Sequence, residues 1–143
     1  MKNLGQVHHI LGYEVVRDVN TNTLFLTQLR YILSTVKRFL NTSDLHKVGL
    51  NALPMEASTP LNIVDTEEQS PASQEQMNSV PYREAIESPL WLVAGARADI
   101  AFVVQTRAKF LCKPSIKHWN AVLRIFRYLH HTINYGLVFR PST

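Results

Sequence analysis

Hydrophobic residues recur at helical spacing between residues 99 and 132, and a break falls at Lys113-Pro114. In the second of the two helices, the apolar face consists of Trp119, Val122, Leu123, Phe126 and Leu129. The opposite face carries Lys117, Asn120, Arg124, Arg127, Tyr128 and His131. The segment therefore predicts two amphipathic helices, with Asp99 and Ser115 as their N-caps.

The N-terminal part of the chain has the alternation of strands. Residues 9–17 alternate between a more apolar and a less apolar face, residues 18–22 are turn formers, and residues 23–27 are extended again. This order predicts a β-hairpin. A helix of about three turns is predicted over residues 28–40, since its stripe contains Leu29, Ile32, Leu33, Val36, Phe39 and Leu40.

No hydrophobic period survives between residues 41 and 80, where proline, serine, threonine and acidic residues are frequent. This composition predicts a long irregular connection. Pro81 suits the first position of a following helix, and Pro89 predicts either a kink in that helix or a new start at Leu90. Residues 137–140 have the pattern of a strand. The fold class predicted is α+β, with an N-terminal hairpin, a long irregular linker and a mainly helical body.

Charge is distributed unevenly over the 143 residues, which are enough for one ordinary domain. The formal charge is +4 overall, but it is +3 for residues 1–50, −6 for residues 51–89 and +7 for residues 90–143. A basic C-terminal third favours a polyanionic partner. Its cationic helix face is open to three interpretations: a solvated surface, a track along a phosphate backbone, or a surface for an anionic membrane or a partner protein.

Several other kinds of site are not supported by the sequence. Cys112 is the only cysteine, so no internal disulfide forms. The adjacent histidines at 8–9 and 130–131 lack nearby Cys or carboxylate ligands at metal-binding spacing. Ser88 lacks a nucleophile-elbow context, and no glycine-rich phosphate loop is present. Trp119 is more typical of a core residue, whereas Tyr13 suits base stacking and packing equally.

Several stretches, in order, resemble the later part of the reverse transcriptase of copia-type (Ty1/copia, pseudovirus) retrotransposon polyproteins. In the first half these are Met1-Lys2-Asn3-Leu4-Gly5, Ile10-Leu11-Gly12-Tyr13-Glu14-Val15, Leu26-Thr27-Gln28 with Tyr31-Ile32, and Ser58-Thr59-Pro60-Leu61. In the second half they are Tyr82-Arg83-Glu84-Ala85, Arg97-Ala98-Asp99-Ile100-Ala101-Phe102, His118-Trp119, Arg127-Tyr128-Leu129 and Tyr135-Gly136-Leu137. Their order and spacing across nearly the whole chain make the resemblance specific.

The resemblance implies the end of the palm, the thumb and the connection of a right-hand polymerase. It assigns residues 1–27 to a hairpin similar to a primer grip, residues 28–40 to the first thumb-like helix and residues 41–80 to an acidic irregular linker. Residues 81–135 would be thumb- and connection-like helices, and residues 136–143 the start of a strand leading to an absent ribonuclease H domain.

The resemblance also implies residue roles and partners. Leu11, Gly12 and Tyr13 would lie at the primer end, in a segment that binds an RNA/DNA template-primer. The phosphate contacts would come from Lys37, Arg38, Lys117, Arg124 and Arg127. Further partners would be the palm and ribonuclease H parts of the polyprotein, and no membrane is expected. We expect an intracellular location, in the cytoplasm or nucleus, because no signal peptide is recognisable.

Catalysis is not expected from this chain alone. In the family, Mg²⁺ is held by clustered aspartates, and the resemblance puts these upstream of position 1, while Asp18, Asp44, Asp65 and Asp99 are isolated. We therefore expect no metal cofactor in this segment and neither DNA polymerisation nor RNA cleavage. The alternatives are a non-catalytic interaction module and a non-functional retrotransposon remnant.

Three residues depart from the family pattern. Glu87 and Pro89 occupy positions where the family usually has Gly and Leu, and Ala98 follows Arg97 where the family has Pro. A buried Glu87 would need a partner, and Pro89 would strain a helix. With these departures, the thumb is not expected to fold as it does in an active element.

Overall fold

The structure, a computed structural model, describes residues 5–41, 53–55 and 70–142. In this part of the chain an antiparallel sheet has the order β1 (His9–Ile10), β2 (Tyr13–Asp18), β3 (Thr23–Thr27) and β4 (Leu137–Phe139). The helices are α1 (Leu29–Phe39), α2 (Pro71–Asn78), α3 (Tyr82–Ala94), α4 (Ala101–Ala108) and α5 (Ile116–His131), and a 3-10 turn spans Ala98–Ile100. The predicted α+β class is confirmed.

The single strand predicted over residues 9–17 is wrong, because a two-residue turn divides it into β1 and β2. Leu11 and Gly12 form this turn, with φ angles of 49° and 83°. Two central residues with positive φ define the tight turn that matches the twist of a hairpin, usually Asn-Gly in sequence. The alternation of apolar and polar residues did not indicate the turn, because Leu11 is apolar and fits a continuous strand.

The turn predicted at residues 18–22 is present between β2 and β3. Asp18 organises it, since its carboxylate accepts hydrogen bonds from the Asn20 amide at 3.0 Å and the Thr21 hydroxyl at 2.7 Å. Short side-chain bonds of this kind are the reason that Asp favours turns. Asp18 then pairs with Thr23 at the first position of β3.

The predicted C-terminal strand is present as β4, and it returns to the sheet at the N-terminus. Phe25 of β3 pairs with Val138 of β4, and Leu26 pairs with Leu137. The sequence did not predict this pairing with β3, and the continuation of the strand toward a ribonuclease H domain stays a prediction. The apolar residues of β4 extend the apolar rows of β2 and β3.

The core lies between the helices. Its fully buried apolar side chains include Ile32, Ile86, Leu92, Ile100, Val104, Val122, Ile125, Phe126 and Leu129, and burying each is worth about 1.5–3 kcal/mol. Phe39 of α1 stacks on Phe126 of α5, with ring centroids 4.9 Å apart. Trp119 packs against this core, as its sequence context favoured. The helix predicted at 28–40 corresponds to α1, although Leu33 of the predicted stripe is exposed.

Part of the predicted irregular linker is helical. Within residues 41–80, α2 begins after Ser70, whose hydroxyl accepts from the Ser73 amide, and Pro71 occupies the first helical position. The weak apolar pattern of this helix explains why the periodicity missed it, since Met77 is its only buried residue. Apart from residues 41, 53–55 and 70–80, the linker prediction lies outside the described residues.

The helix after Pro81 runs without interruption through Pro89, and Pro81 is its N-cap. The predicted new start at Leu90 is wrong. Pro89 is buried beside Ile86 and Leu92 on the core side, so packing offsets the lost backbone hydrogen bond. Glu87 is exposed and needs no buried partner, and Ala98 begins the 3-10 turn at the surface.

Candidate nucleic-acid interface

The turn between β1 and β2 presents an apolar side chain to solvent. Leu11 is 81% exposed at the tip, Gly12 is also exposed, and Tyr13 is half-buried at the start of β2. A Leu side chain with positive φ costs about 1–2 kcal/mol, and no burial offsets this cost. Strained, exposed positions of this kind are common at binding sites.

The same turn borders the first half of α1. A crevice of about 370 Å³ separates them, and its lining includes Tyr13, Glu14, Arg30 and Tyr31. Arg30 Nε lies 3.3 Å from Glu14 Oε1, and the Thr27 hydroxyl donates to Glu14 Oε2 at 3.2 Å. The structure thus brings Gly12 and Tyr13, two of the predicted primer-end residues, next to a cation, Arg30, that was not among the predicted site residues.

The two predicted cations of α1 lie at its C-terminal end and are both exposed. Arg38 forms an ion pair with Glu84 of α3 and lies over the Phe39 ring at 5.1 Å. An exposed pair of this type contributes about 0–1 kcal/mol. A phosphate could therefore replace Glu84 at little cost. Lys37, next in sequence, is exposed as well.

The three predicted cations of α5 share one side of the helix. Lys117 is exposed and Arg124 and Arg127 are half-buried, and helical spacing puts them opposite the buried side. Arg124 Nε donates to the Leu53 carbonyl oxygen at 3.2 Å. Arg127 Nε is buried without a hydrogen-bond partner among the described residues. We call Lys117, Arg124 and Arg127 the α5 stripe.

Tyr128 does not belong to the exposed face that the sequence predicted, because it is 8% exposed. Its hydroxyl donates to Asp99 Oδ2 at 2.9 Å. Burial first, and then the neighbouring Asp99 carboxylate, raise the pKa of Tyr128. The amphipathic pattern misplaced this residue because a tyrosine is compatible with either face.

The prediction that Asp99 is the N-cap of the first of the two helices is wrong. Ile100 occupies that position in α4, without a side-chain cap, while Asp99 binds the fully buried guanidinium of Arg97 at 2.8 and 2.9 Å. The stronger, charge-assisted interaction takes the carboxylate. The Ser115 cap is confirmed, since its hydroxyl accepts from the His118 amide and the His118 ring accepts from the Ser115 amide.

The family that the sequence resembles is expected to use Mg²⁺, and the described residues do not fit a site for it. No group of three or more His, Cys, Asp or Glu side chains converges within residues 5–41, 53–55 and 70–142, whereas Mg²⁺ sites are built from oxygen ligands held together. In the same part of the chain, no helix has both the length and the apolar character needed to cross a bilayer.

Sequence reasoning missed Arg30 and the Arg97–Asp99 pair. Arg30 lies off the apolar stripe of α1, and its proximity to Glu14 depends on how the sheet meets the helix. The Arg-x-Asp spacing at residues 97–99 was the available signal for the second pair, but at a helix start it also fits a cap.

The chain aligns over nearly its whole length with retrovirus-related Pol polyproteins of copia-type transposons, and it is homologous to a segment of these polyproteins. One relative is the retrovirus-related Pol polyprotein from transposon TNT 1-94 of Nicotiana tabacum. It is 35% identical over 147 residues, which cover 99% of this chain and 10% of the polyprotein. The resemblance to copia-type retrotransposon polyproteins is thereby confirmed.

Two further relatives differ in coverage. The Pol polyprotein from transposon RE1 of Arabidopsis thaliana is 29% identical over 142 residues, which cover 99% of this chain and 9% of the polyprotein. The secreted RxLR effector protein 161 of Plasmopara viticola is 38% identical over 63 residues, covering 44% of each chain. This chain spans about a tenth of the polyproteins that it matches. No family model and no solved structure matches it.

Proposed function

We propose that this chain is the thumb-like part of a copia-type reverse transcriptase and binds template-primer nucleic acid without catalysis. The observation that carries the proposal is the α5 stripe. Lys117 and Arg127 are ten residues apart on one side of a helix, a length of about 15 Å. A nucleic-acid duplex carries one charge per roughly 1.7 Å of its axis, so the stripe can reach several phosphates.

The proposed binding is electrostatic and independent of base sequence. Each cation that neutralises a phosphate releases counterions, which favours binding at low salt. The contact that Arg124 makes with the Leu53 carbonyl would give way to a phosphate oxygen, which is a stronger acceptor for a guanidinium. On α1, Lys37 and Arg38 would add contacts once Arg38 exchanges Glu84 for a phosphate.

The turn of Leu11 and Gly12 would contact the primer end. Leu11 offers an exposed apolar side chain and Gly12 an exposed backbone without a Cβ atom. Gly12 lets a strand approach closely, and Tyr13 at the base of the turn provides a ring for a sugar or base.

No step of the proposal uses a metal ion held by this chain. The partners that we propose are an RNA/DNA template-primer together with the palm and ribonuclease H parts of the polyprotein. The proposed location is intracellular, where such a substrate would be made.

The test is fluorescence anisotropy of the purified chain with a labelled RNA/DNA hybrid across a salt series. We expect micromolar binding that weakens steeply with salt. The double variant Arg124→Ala/Arg127→Ala should reduce the slope of log K against log salt by about 1.8, the value for two lost phosphate contacts. A double variant with the same loss of charge at exposed positions, Arg83→Ala/Lys109→Ala, should leave the slope closer to that of the parent. Absent or salt-insensitive binding would contradict the proposal.

A second candidate function, a protein-docking module, is favoured by one face of the sheet. Val16, Phe25 and Val138 are cross-strand neighbours, and they are 62%, 41% and 45% exposed. Rows of exposed apolar side chains are typical of interaction surfaces. In that case the chain should bind the separately purified palm part of the polyprotein in calorimetry and lose binding in Phe25→Asp, with no dependence on the α5 stripe.

A further inference from the structure

The outer side of β4 is an unpaired edge of the sheet. β4 is the last strand in the sheet order, and within the described part of the chain it pairs with β3 alone. Alternate residues of an antiparallel strand direct their backbone N–H and C=O groups to the same side, so part of the β4 backbone has no strand to bind. Edge strands of natural proteins commonly carry charged residues or proline, whereas Leu137, Val138 and Phe139 of β4 are all apolar and exposed.

The sequence of β4 is suited to pairing with β4 of a second copy. In an antiparallel pairing centred on Val138, this residue lies opposite Val138 of the second copy, and Leu137 lies opposite Phe139. Each apolar residue then faces an apolar residue. A register centred on either neighbour would instead place Gly136 or Arg140 opposite Val138, and a register centred between two residues would turn one sheet over. The pairing centred on Val138 is therefore the favoured one.

The same register would continue the exposed apolar row of the sheet into the second copy. Val16, Phe25 and Val138 are cross-strand neighbours on one face. A two-fold axis at Val138, perpendicular to the sheet, would bring this row end to end with the identical row of the second copy. Cross-strand contacts between apolar side chains stabilise sheets, so the new boundary would be stabilised in the same way as the boundary between β3 and β4.

Charge complementarity supports the same pairing. Side chains of an extended segment alternate between the two faces, so Gly136, Val138 and Arg140 share a face. Arg140 lies opposite Gly136 of the second copy in this register, and Gly136 lines a crevice of about 430 Å³ together with Asp99. Arg140 is exposed and has no ion-pair partner in the described part of the chain. The Asp99 side chain is 35% exposed, and a carboxylate can lie between two guanidinium groups.

We propose that this chain forms a symmetric dimer in which β4 pairs antiparallel with β4 of a second copy, centred on Val138, and Arg140 of each copy binds Asp99 of the other. The interface is self-complementary, so the assembly closes at two copies. It is also small, because each copy contributes only a three-residue strand, and we expect a dissociation constant that is micromolar or weaker. The proposal goes beyond the proposed function and does not use the α5 stripe.

The test is sedimentation equilibrium of the full chain from micromolar to millimolar concentration. Physiological ionic strength is used because it screens the repulsion between two copies that each carry a charge of +4. We expect a reversible monomer–dimer equilibrium without larger species. Val138→Lys should weaken dimerisation at least about fivefold, because it places like charges directly opposite each other. Val16→Lys makes the same change in the same apolar row but away from β4, and it should leave dimerisation unchanged.

A mixture of two variants tests the position of the two-fold axis. Val138→Lys and Val138→Glu should each dimerise poorly alone, whereas an equal mixture should associate as well as the parent chain, because the axis places lysine opposite glutamate. This recovery also shows that both variants fold. Arg140→Gln should weaken dimerisation several-fold, and Arg83→Gln, the same change at an exposed position of α3, should not.

Three results would overturn the proposed dimer. The first is a chain that stays monomeric at millimolar concentration or assembles beyond a dimer. The second is equal behaviour of Val138→Lys and Val16→Lys, and the third is a mixture of Val138→Lys and Val138→Glu that associates no better than either variant alone. None of these results bears on hybrid binding by the α5 stripe, so the dimer and the proposed function can fail independently.

Discussion

Arg97 and Asp99 form a two-point ion pair in which the cation is fully buried and the anion is at the surface. Two guanidinium nitrogens lie 2.8 and 2.9 Å from the two carboxylate oxygens, and the Asp99 side chain remains 35% exposed. Arg97 also donates to the carbonyl and hydroxyl of Thr132 at 3.0 and 2.6 Å. The pair therefore ties the 3-10 turn to the end of α5, just before the chain enters β4.

We expect Asp99→Asn to lower the free energy of unfolding by about 2 kcal/mol. The substitution keeps the shape of the side chain but leaves the buried Arg97 charge without a counter-ion. Losses for fully buried pairs are about 3–5 kcal/mol, and the exposure of Asp99 reduces the expected effect. The measurement is urea unfolding followed by far-UV circular dichroism.

The matched control for Asp99→Asn is Glu84→Gln. It removes a carboxylate of the same charge from the Arg38–Glu84 pair, in which both side chains are at least half exposed. This variant should lose less than about 1 kcal/mol. Equal losses in the two variants would show that the Arg97 network does not behave as a buried pair.

The Asp99 contribution should disappear in acid. Burial alone raises the pKa of Asp99, but the hydrogen bonds and charge of Arg97 and the Tyr128 hydroxyl together lower it below its ordinary value. The native state thus binds this proton less readily than the unfolded state. The stabilisation is complete above about pH 4, the pKa of an unperturbed Asp, and is lost as the pH falls through the lower native pKa.

The acid effect is measured as the difference in unfolding free energy between the parent chain and Asp99→Asn from pH 6 to pH 2. The difference should be largest at pH 6 and shrink at the acid end. Asp18 also has a lowered pKa, caused first by its hydrogen bond with Thr21, but its contribution is present in both proteins and cancels. A difference that stays constant with pH would contradict the assigned role of Asp99.

Local patterns predicted most of the elements but not the contacts between them. The apolar faces of α1 and α5 were predictable from the sequence, because burial on one side imposes a helical period. The Ser115 cap was predictable as well, because a cap depends on neighbours three residues away. The return of β4 to β3 and the pairing of Arg30 with Glu14 depend on the relative positions of distant segments. No period or local motif encodes those positions.

The errors of the sequence interpretation have a common physical cause. The local sequence allows two structural roles for each of the three mispredicted residues, Leu11, Asp99 and Tyr128. An unusual backbone angle decides the role of Leu11, and contacts with other residues decide the roles of Asp99 and Tyr128. The site residues remain predictions, although the structure gives each predicted cation a position on α1 or α5. The largely polar α2, in which Met77 is the only buried residue, has no hydrophobic pattern strong enough to predict a helix.

Gly136→Ala should loosen the junction between α5 and β4. An added methyl group at this position would overlap the backbone carbonyl of Leu26, which cannot rotate away. We expect a loss of about 1–3 kcal/mol and faster amide exchange in β3 and β4. Gly12→Ala is the contrasting variant, since no atom of residues 5–41, 53–55 or 70–142 lies within 4 Å of its Cβ position and only its positive φ is strained. Unchanged exchange in Gly136→Ala would contradict the observed approach of the two strands.

Leu11→Asn should stabilise the fold and weaken nucleic-acid binding at the same time. Asparagine adopts positive φ more readily than leucine and is favoured before glycine in this type of turn. Because Leu11 is 81% exposed, the substitution gives up almost no burial, and we expect the free energy of unfolding to rise by about 0.5–1 kcal/mol. Hybrid affinity, measured by anisotropy, should fall because the apolar contact at the primer end is lost.

Val19→Asn is the control: it also replaces an exposed aliphatic side chain with asparagine, at a 68% exposed position in the β2–β3 turn, and it should leave affinity unchanged. If Leu11→Asn gains stability at no cost in affinity, the turn does not contact the nucleic acid, and the proposed primer-end role of residues 11–13 is wrong.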